Sequence, residues 1–87
     1  MEKQNLKVLC LDDLKVGECG VVLDVKSPNV FVRRRLYEMG ITKGVLIKIK
    51  KIAPLGDPVG IELRGYELAL RKEELKNVEV KKQWNWL

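Results

Sequence analysis

Side chains that could carry out catalysis are scarce in this chain. It contains no histidine, and Ser27 and Thr42 are its single serine and threonine, so a hydroxyl nucleophile has no imidazole base to activate it. The carboxylate pairs Asp12-Asp13 and Glu73-Glu74 are adjacent in sequence, which is typical of turns and helix surfaces rather than of general acid–base pairs. No glycine-rich phosphate-binding motif is present. The residue types therefore favour a docking module over an enzyme.

Metal-ligating residues are equally sparse. Cys10 and Cys19 are separated by eight residues, match no zinc or redox spacing, and are expected to be reduced thiols. We therefore predict neither a cofactor nor a metal site within the chain. The alternative is a transition metal ion at the surface or between subunits, held by Cys10, Cys19 or carboxylates such as Glu38 and Asp57.

The composition of the chain argues against nucleic acid and membranes as partners. Lys and Arg total 17 against 12 acidic residues, but most lysines alternate with apolar residues and are expected on the wet face of a sheet. Two of the few aromatic residues lie at the end of the chain, so no stacking platform for nucleic acid is predicted. No apolar stretch reaches the roughly 20 residues of a membrane span, and no secretory signal is present. These patterns predict a cytoplasmic protein that neither inserts into membranes nor binds nucleic acid.

The triplet Arg33-Arg34-Arg35 has three interpretations. In the first, it is a solvated helix flank in which Arg34 or Arg35 pairs with Glu38. In the second, it is a cationic patch that binds an acidic partner. In the third, it supplies an arginine finger near the phosphates of a GTPase partner.

A short helix is predicted around this triplet, beginning after Ser27-Pro28-Asn29, where Ser or Asn can cap the first turn. Its apolar stripe consists of Val32, Leu36 and Met39. Gly40 suits the left-handed position that ends a helix, and Ile41 can fold back on Leu36 in a Schellman motif.

Period-two alternation predicts the strands. The residues predicted to face inward are Val21, Leu23 and Val25, then Val45, Ile47 and Ile49, then Val59, Ile61 and Leu63. A bulge is predicted at 50–52, where the alternation changes phase, and a type II′ turn at Gly65-Tyr66. A helical turn at 71–76 and a last strand at Val78 and Val80 complete the pattern.

These elements predict a mostly β protein: a small SH3-like barrel of about five antiparallel strands, with one short helix between the first two strands and one helical turn before the last. Residues 1–5 are expected to be a flexible N-terminus, 6–80 the barrel, and 81–87 a tail. The tail ends in Trp84-Asn85-Trp86-Leu87, which is expected to pack across the barrel's open end or to contact a partner.

A stiff loop is predicted at 53–58. Pro54 and Pro58 restrict two φ angles, and Gly56 permits a conformation closed to other residues. Leu55 is expected to be exposed at its tip, where a rigid apolar side chain loses little entropy on docking.

Several motifs occur together in one order: Leu14-x-x-Gly17, Leu36-x-x-Met39-Gly40-Ile41-x-x-Gly44, Ala53-Pro54-Leu55-Gly56-Asp57-Pro58, and Leu68-x-Leu70-Arg71-Lys72. From about residue 6 to residue 80 the chain resembles the ferrous-iron transport protein A (FeoA) family. The motif residues that set the backbone are Leu36, Met39, Gly40, Ile41, Gly44, Pro54 and Pro58.

The resemblance implies an SH3-like barrel in the cytoplasm and a non-enzymatic accessory or regulatory role in bacterial ferrous-iron uptake, beside the membrane GTPase transporter FeoB. We expect a monomer or weak homo-oligomer that docks on the GTPase region of FeoB. The predicted contact residues are Arg33, Arg34, Tyr37 and Glu38 on the helix and Leu55, Gly56 and Asp57 in the loop. The alternatives are a GTPase-activating protein for FeoB and a transition-metal-binding domain like the one that ends metal-dependent repressors, although the helix-turn-helix of those regulators is not seen here.

Overall fold

The computed structural model describes residues 8–83 and contains six antiparallel strands in one curved sheet, with strand order β1-β6-β2-β3-β4-β5. The elements along the chain are β1 (Leu9–Cys10), a 3-10 turn (Leu11–Asp13), β2 (Cys19–Val25), α1 (Val30–Glu38), β3 (Leu46–Ile52), β4 (Val59–Leu63), β5 (Tyr66–Leu70), α2 (Lys72–Leu75) and β6 (Val78–Gln83). The predicted mostly β architecture is confirmed, including the helix before β3 and the helical turn before the last strand.

The sheet has one strand more than the sequence predicted. β1 is only two residues long and pairs with β6 through Leu9 and Val80, so it is too short to show an alternation pattern. β6 also continues to Gln83 in register with β2, so residues 81–83 belong to the sheet and not to the predicted tail. The predictions for residues 1–5 and for Trp84-Asn85-Trp86-Leu87 lie outside the described residues.

The inward face of β2 was predicted in the wrong phase. Val22 is 1% exposed and Leu23 is 37% exposed, the reverse of the predicted orientation, whereas Val25 is buried as predicted. A bulge between Val22 and Asp24 adds one residue to the strand and changes the phase of its side chains. Because Val21, Val22 and Leu23 are all apolar, the sequence could not show which of them faces the core.

The bulge predicted in β3 is confirmed, because the register with β4 shifts between Ile49 and Lys51. The β4–β5 turn differs from its prediction. Leu63 pairs with Tyr66, so Arg64 and Gly65 are the two central residues, and both have positive φ (49° and 84°). That is the pattern of a type I′ turn, not of type II′ at Gly65-Tyr66.

Both ends of α1 are capped as the sequence predicted. Asn29 Oδ1 accepts a hydrogen bond from Phe31 N at 2.9 Å. At the other end, Gly40 N donates to Tyr37 O at 2.9 Å and Ile41 N donates to Leu36 O at 3.0 Å, which are the two hydrogen bonds of a Schellman motif. Tyr66 Oη, at the start of β5, donates to Met39 O and so attaches the end of the helix to the sheet.

The core is entirely apolar. Leu36 and Ile41 are fully buried against the inner face of the sheet, together with Ile47, Ile49 and Ile61. Among residues 8–83 no polar or charged side chain is buried. Any recognition chemistry in this part of the chain must therefore come from the surface.

Candidate docking surface

The loop between β3 and β4 presents an apolar side chain on a rigid support. Gly56 N donates to Ala53 O at 2.7 Å and Ala53 N donates to Pro58 O at 3.1 Å, so backbone hydrogen bonds close the loop. Gly56 has φ +91°, a conformation that glycine adopts without strain. Leu55 at the tip is 95% exposed, which confirms its predicted exposure.

Asp57 faces the protein and not the solvent side of the loop. Its Oδ1 accepts a hydrogen bond from Lys72 N at 2.8 Å, and its Oδ2 lies 3.8 Å from Arg71 Nη1. The carboxylate therefore caps the start of α2 from a distant part of the chain, and its negative charge suits the positive end of that helical turn. Asp57 fixes the loop and leaves Leu55 as the side chain available to a partner.

The three arginines of α1 have different environments. Arg33 Nη1 donates to Ser27 O, while Arg35 pairs with Glu74 of α2. The Arg34 side chain is exposed and forms no hydrogen bond or ion pair with any residue between 8 and 83, and the same holds for the side chain of Glu38. The predicted pairing of Glu38 with Arg34 or Arg35 is therefore wrong, because Glu74 lies closer to Arg35 in the folded chain.

The helical turn α2 lies between the two predicted docking segments and contacts both. Glu74 holds α1 through Arg35, and Lys72 holds the loop through Asp57. An open groove of about 430 Å³ runs between the helices, lined by Val32, Arg35, Arg71, Glu73, Glu74 and Asn77. The sequence predicted this helical turn but not its position as a brace between α1 and the loop.

Two exposed apolar residues of α1 were missed by the sequence analysis. Val30 is 50% exposed and Phe31 is 75% exposed, on the same helix as the half-exposed Tyr37. Their position outside the apolar stripe of Val32, Leu36 and Met39 is the sequence feature that could have indicated their exposure.

The potential metal ligands Cys10, at the end of β1, and Asp12 and Asp13, on the 3-10 turn, have their ligand atoms within 4.8 Å of one another. Asp13 Oδ2 already accepts a hydrogen bond from Cys10 N at 2.9 Å. Burial raises the pKa of the Cys10 thiol, and the charges of Asp12, Asp13 and Glu79 raise it further.

Cys19 does not join this cluster. It pairs with Gln83 on one side of β6, whereas Cys10 pairs with Glu79 on the other side, four residues along the strand. At about 3.3 Å per residue, their backbone positions are separated by roughly 13 Å along the strand. Both are free cysteines.

No helix among residues 8–83 has the length and apolar character required to cross a bilayer. An antiparallel sheet around an apolar core, with one helix before β3 and a helical turn before β6, defines the class of small β-barrel domains.

Comparison with known families identifies the particular module. The sequence model of the FeoA domain matches residues 9–82, so this chain belongs to the FeoA family.

Three relatives illustrate the similarity. A fusion of Fe(2+) transport protein A with the Fe(2+) transporter FeoB, from Porphyromonas gingivalis, is 37% identical over 70 residues, which is 80% of this chain but 8% of the fusion protein. An NMR structure of a FeoA-like protein from Clostridium acetobutylicum has 36% identity, 93% coverage of both chains and a TM-score of 0.83. FeoA of Stenotrophomonas maltophilia, an SH3 domain protein solved with zinc, has 31% identity, covers 83% of this chain and 88% of its own, and has a TM-score of 0.73. The predicted family and SH3-like fold are confirmed.

Proposed function

We propose that this protein is a non-enzymatic accessory protein of bacterial ferrous-iron uptake, which docks on the cytoplasmic GTPase region of a FeoB-like transporter. Two observations support the proposal: membership of the FeoA family, and a relative in which a FeoA segment and FeoB form one polypeptide. Covalent fusion holds two partners at high effective concentration, as is useful for a weak functional contact.

The exposure of Leu55 is the observation that carries the proposed docking. An isolated leucine on a protein surface needs no explanation, but this one is 95% exposed on a loop held by backbone hydrogen bonds and by Asp57. Because the loop is already ordered, binding loses little conformational entropy, and burial of the side chain adds apolar contact. The loop therefore has the properties of a preformed recognition element.

Replacing Leu55 with aspartate is expected to weaken binding to the transporter's GTPase region at least tenfold, because docking would bury an unpaired charge. Calorimetric titration of the purified domains measures this change. Val16→Asp is the matched control, since Val16 is also an exposed apolar residue in a turn, and it should bind within about twofold of the wild type. Both variants should keep the wild-type melting temperature. If Leu55→Asp binds the GTPase region with the same affinity as the wild type, the loop is not part of the interface.

GTP turnover in the same mixtures separates an adaptor from a GTPase-activating protein. Arg34 is the member of the triplet whose guanidinium has no partner among the described residues, so it is the candidate arginine finger. If the protein is an adaptor only, GTP turnover by the GTPase region should be the same with the Arg34→Ala variant as with the wild type.

A second candidate function, divalent metal binding, is favoured by the cluster of Cys10, Asp12 and Asp13 and by the zinc complex of the Stenotrophomonas relative. Three donors with an open position fit a weak exchangeable site better than a closed structural one.

Binding of Zn²⁺ or Fe²⁺ should strengthen as pH rises from 6 to 8, because metal must displace the proton from a thiol whose pKa is raised. Titration with Zn²⁺ tests this, and Cys10→Ser should weaken it while Cys19→Ser should not. Equal affinities for the two variants would contradict a site at Cys10.

A further inference from the structure

We propose that the solvent face of α1 is a helical anchor, which inserts into an apolar groove of a protein partner that carries a carboxylate opposite Arg34. This outer face of α1 consists of Val30, Phe31, Arg34, Tyr37 and Glu38. The inference rests on the proposed docking function and names the binding mode and the chemistry of the partner surface.

The five residues lie on one side of the helix. At 100° per residue they cover an arc of about 120°, and the centre of this arc lies nearly opposite the stripe of Val32, Leu36 and Met39 that packs on the core. α1 is therefore apolar on two opposite sides, although a surface helix needs only one such side to attach to its own core. The spacing of positions 30, 34 and 37 (i, i+4, i+7) is that of helices that bind in grooves.

The outer face leaves a substantial apolar area in water. Phe31 is 75% exposed, and Val30 and Tyr37 are each 50% exposed. Together they expose roughly 300 Å² of side chain, comparable with the apolar patches at which soluble proteins bind partners. Phe31 and Tyr37 also belong to the aromatic residue types enriched at interfaces.

The charges on this face indicate an acidic protein partner. Arg34 is the cation in the middle of the face and has no ion pair among residues 8–83, because Arg33 bonds Ser27 O and Arg35 bonds Glu74. A second copy of this chain fits less well, since each copy has a formal net charge of +5. An anionic bilayer also fits less well, because its uniform negative charge would repel Glu38, which lies one helical turn from Arg34 on the same face, whereas a protein can place a single carboxylate opposite Arg34.

Titration of the transporter's GTPase region with the full chain tests the anchor. Phe31→Ala should weaken binding about tenfold, whereas Phe31→Leu, which keeps an apolar side chain, should retain most of the affinity. Arg34→Gln should weaken binding at least threefold and reduce its dependence on salt concentration. Val16→Ala and Lys81→Gln, exposed residues outside α1, are the matched controls and should bind as the wild type does. Melting temperatures establish that each variant is folded.

The outcomes separate this inference from the proposed function. If Leu55→Asp abolishes binding while Phe31→Ala and Arg34→Gln bind normally, the anchor is wrong and the docking function stands. If the wild type does not bind the GTPase region at all, both are overturned. Phe31-dependent self-association in sedimentation, or Phe31-dependent binding to phosphatidylserine vesicles, would also overturn the choice of an acidic protein as the partner.

Discussion

Replacement of Gly40 by alanine is expected to lower the free energy of unfolding by about 1.5 to 3.5 kcal/mol. Gly40 has φ +95°, where an alanine is strained by about 1 to 2 kcal/mol. A Cβ at this position would also lie 2.5 Å from Tyr66 Oη, so the tyrosine must move and lose its hydrogen bond to Met39 O. That loss adds about 0.5 to 1.5 kcal/mol. Urea unfolding followed by far-ultraviolet circular dichroism measures the sum.

Gly44 provides a matched control for the two contributions. It has φ +86°, but a Cβ there would meet nothing within 4 Å, so Gly44→Ala should show the backbone strain alone. In a Tyr66→Phe background the penalty of Gly40→Ala should fall towards that of Gly44→Ala, because the hydroxyl is already gone. Equal destabilisation by the two glycine substitutions in the wild-type background would show that the approach of Tyr66 has no energetic effect.

Leu36→Ala is expected to have the larger effect, about 3 kcal/mol within the range of 2 to 5 measured for buried leucines. Leu36 is the fully buried residue of the α1 stripe, in which Val32 and Met39 are partly buried against the same core. Alanine keeps the helix propensity, so the loss reports packing and not helix formation. In a domain of this size such a loss is a large part of the total stability.

Val30→Ala, on the exposed side of the same helix, is the control for Leu36→Ala. Its unfolding free energy should stay within about 0.5 kcal/mol of the wild type, since Val30 makes little contact with the core. A small effect of Leu36→Ala in the same denaturation experiment would mean that α1 is not held by this side chain.

Features that depend on a few consecutive residues were predictable from the sequence. Asn29 at the start of α1 and Gly40 at its end were recognised because capping depends on local backbone conformation. The β3 bulge was recognised from a break in alternation between Ile49 and Ile52. The exposure of Leu55 followed from the prolines and the glycine around it.

Features that depend on distant residues were not predictable. β1 becomes a strand only because β6, far along the chain, offers it a partner. Which β2 side chains face the core depends on a bulge within an apolar run. Because Val21, Val22 and Leu23 are all apolar, the alternation pattern does not reveal it.

The sequence by itself determined the family, the barrel and most of the positions at which the backbone turns, because steric limits on φ and ψ act within each residue and its neighbours. Tertiary structure alone decided which charges are free. Arg35 pairs with Glu74, Arg33 donates to Ser27 O, and Asp57 accepts from Lys72 N in α2. The Arg34 side chain therefore has no partner among residues 8–83, and Leu55 stays exposed. Such pairings depend on the distances between side chains in the folded chain, so short-range sequence patterns do not predict them.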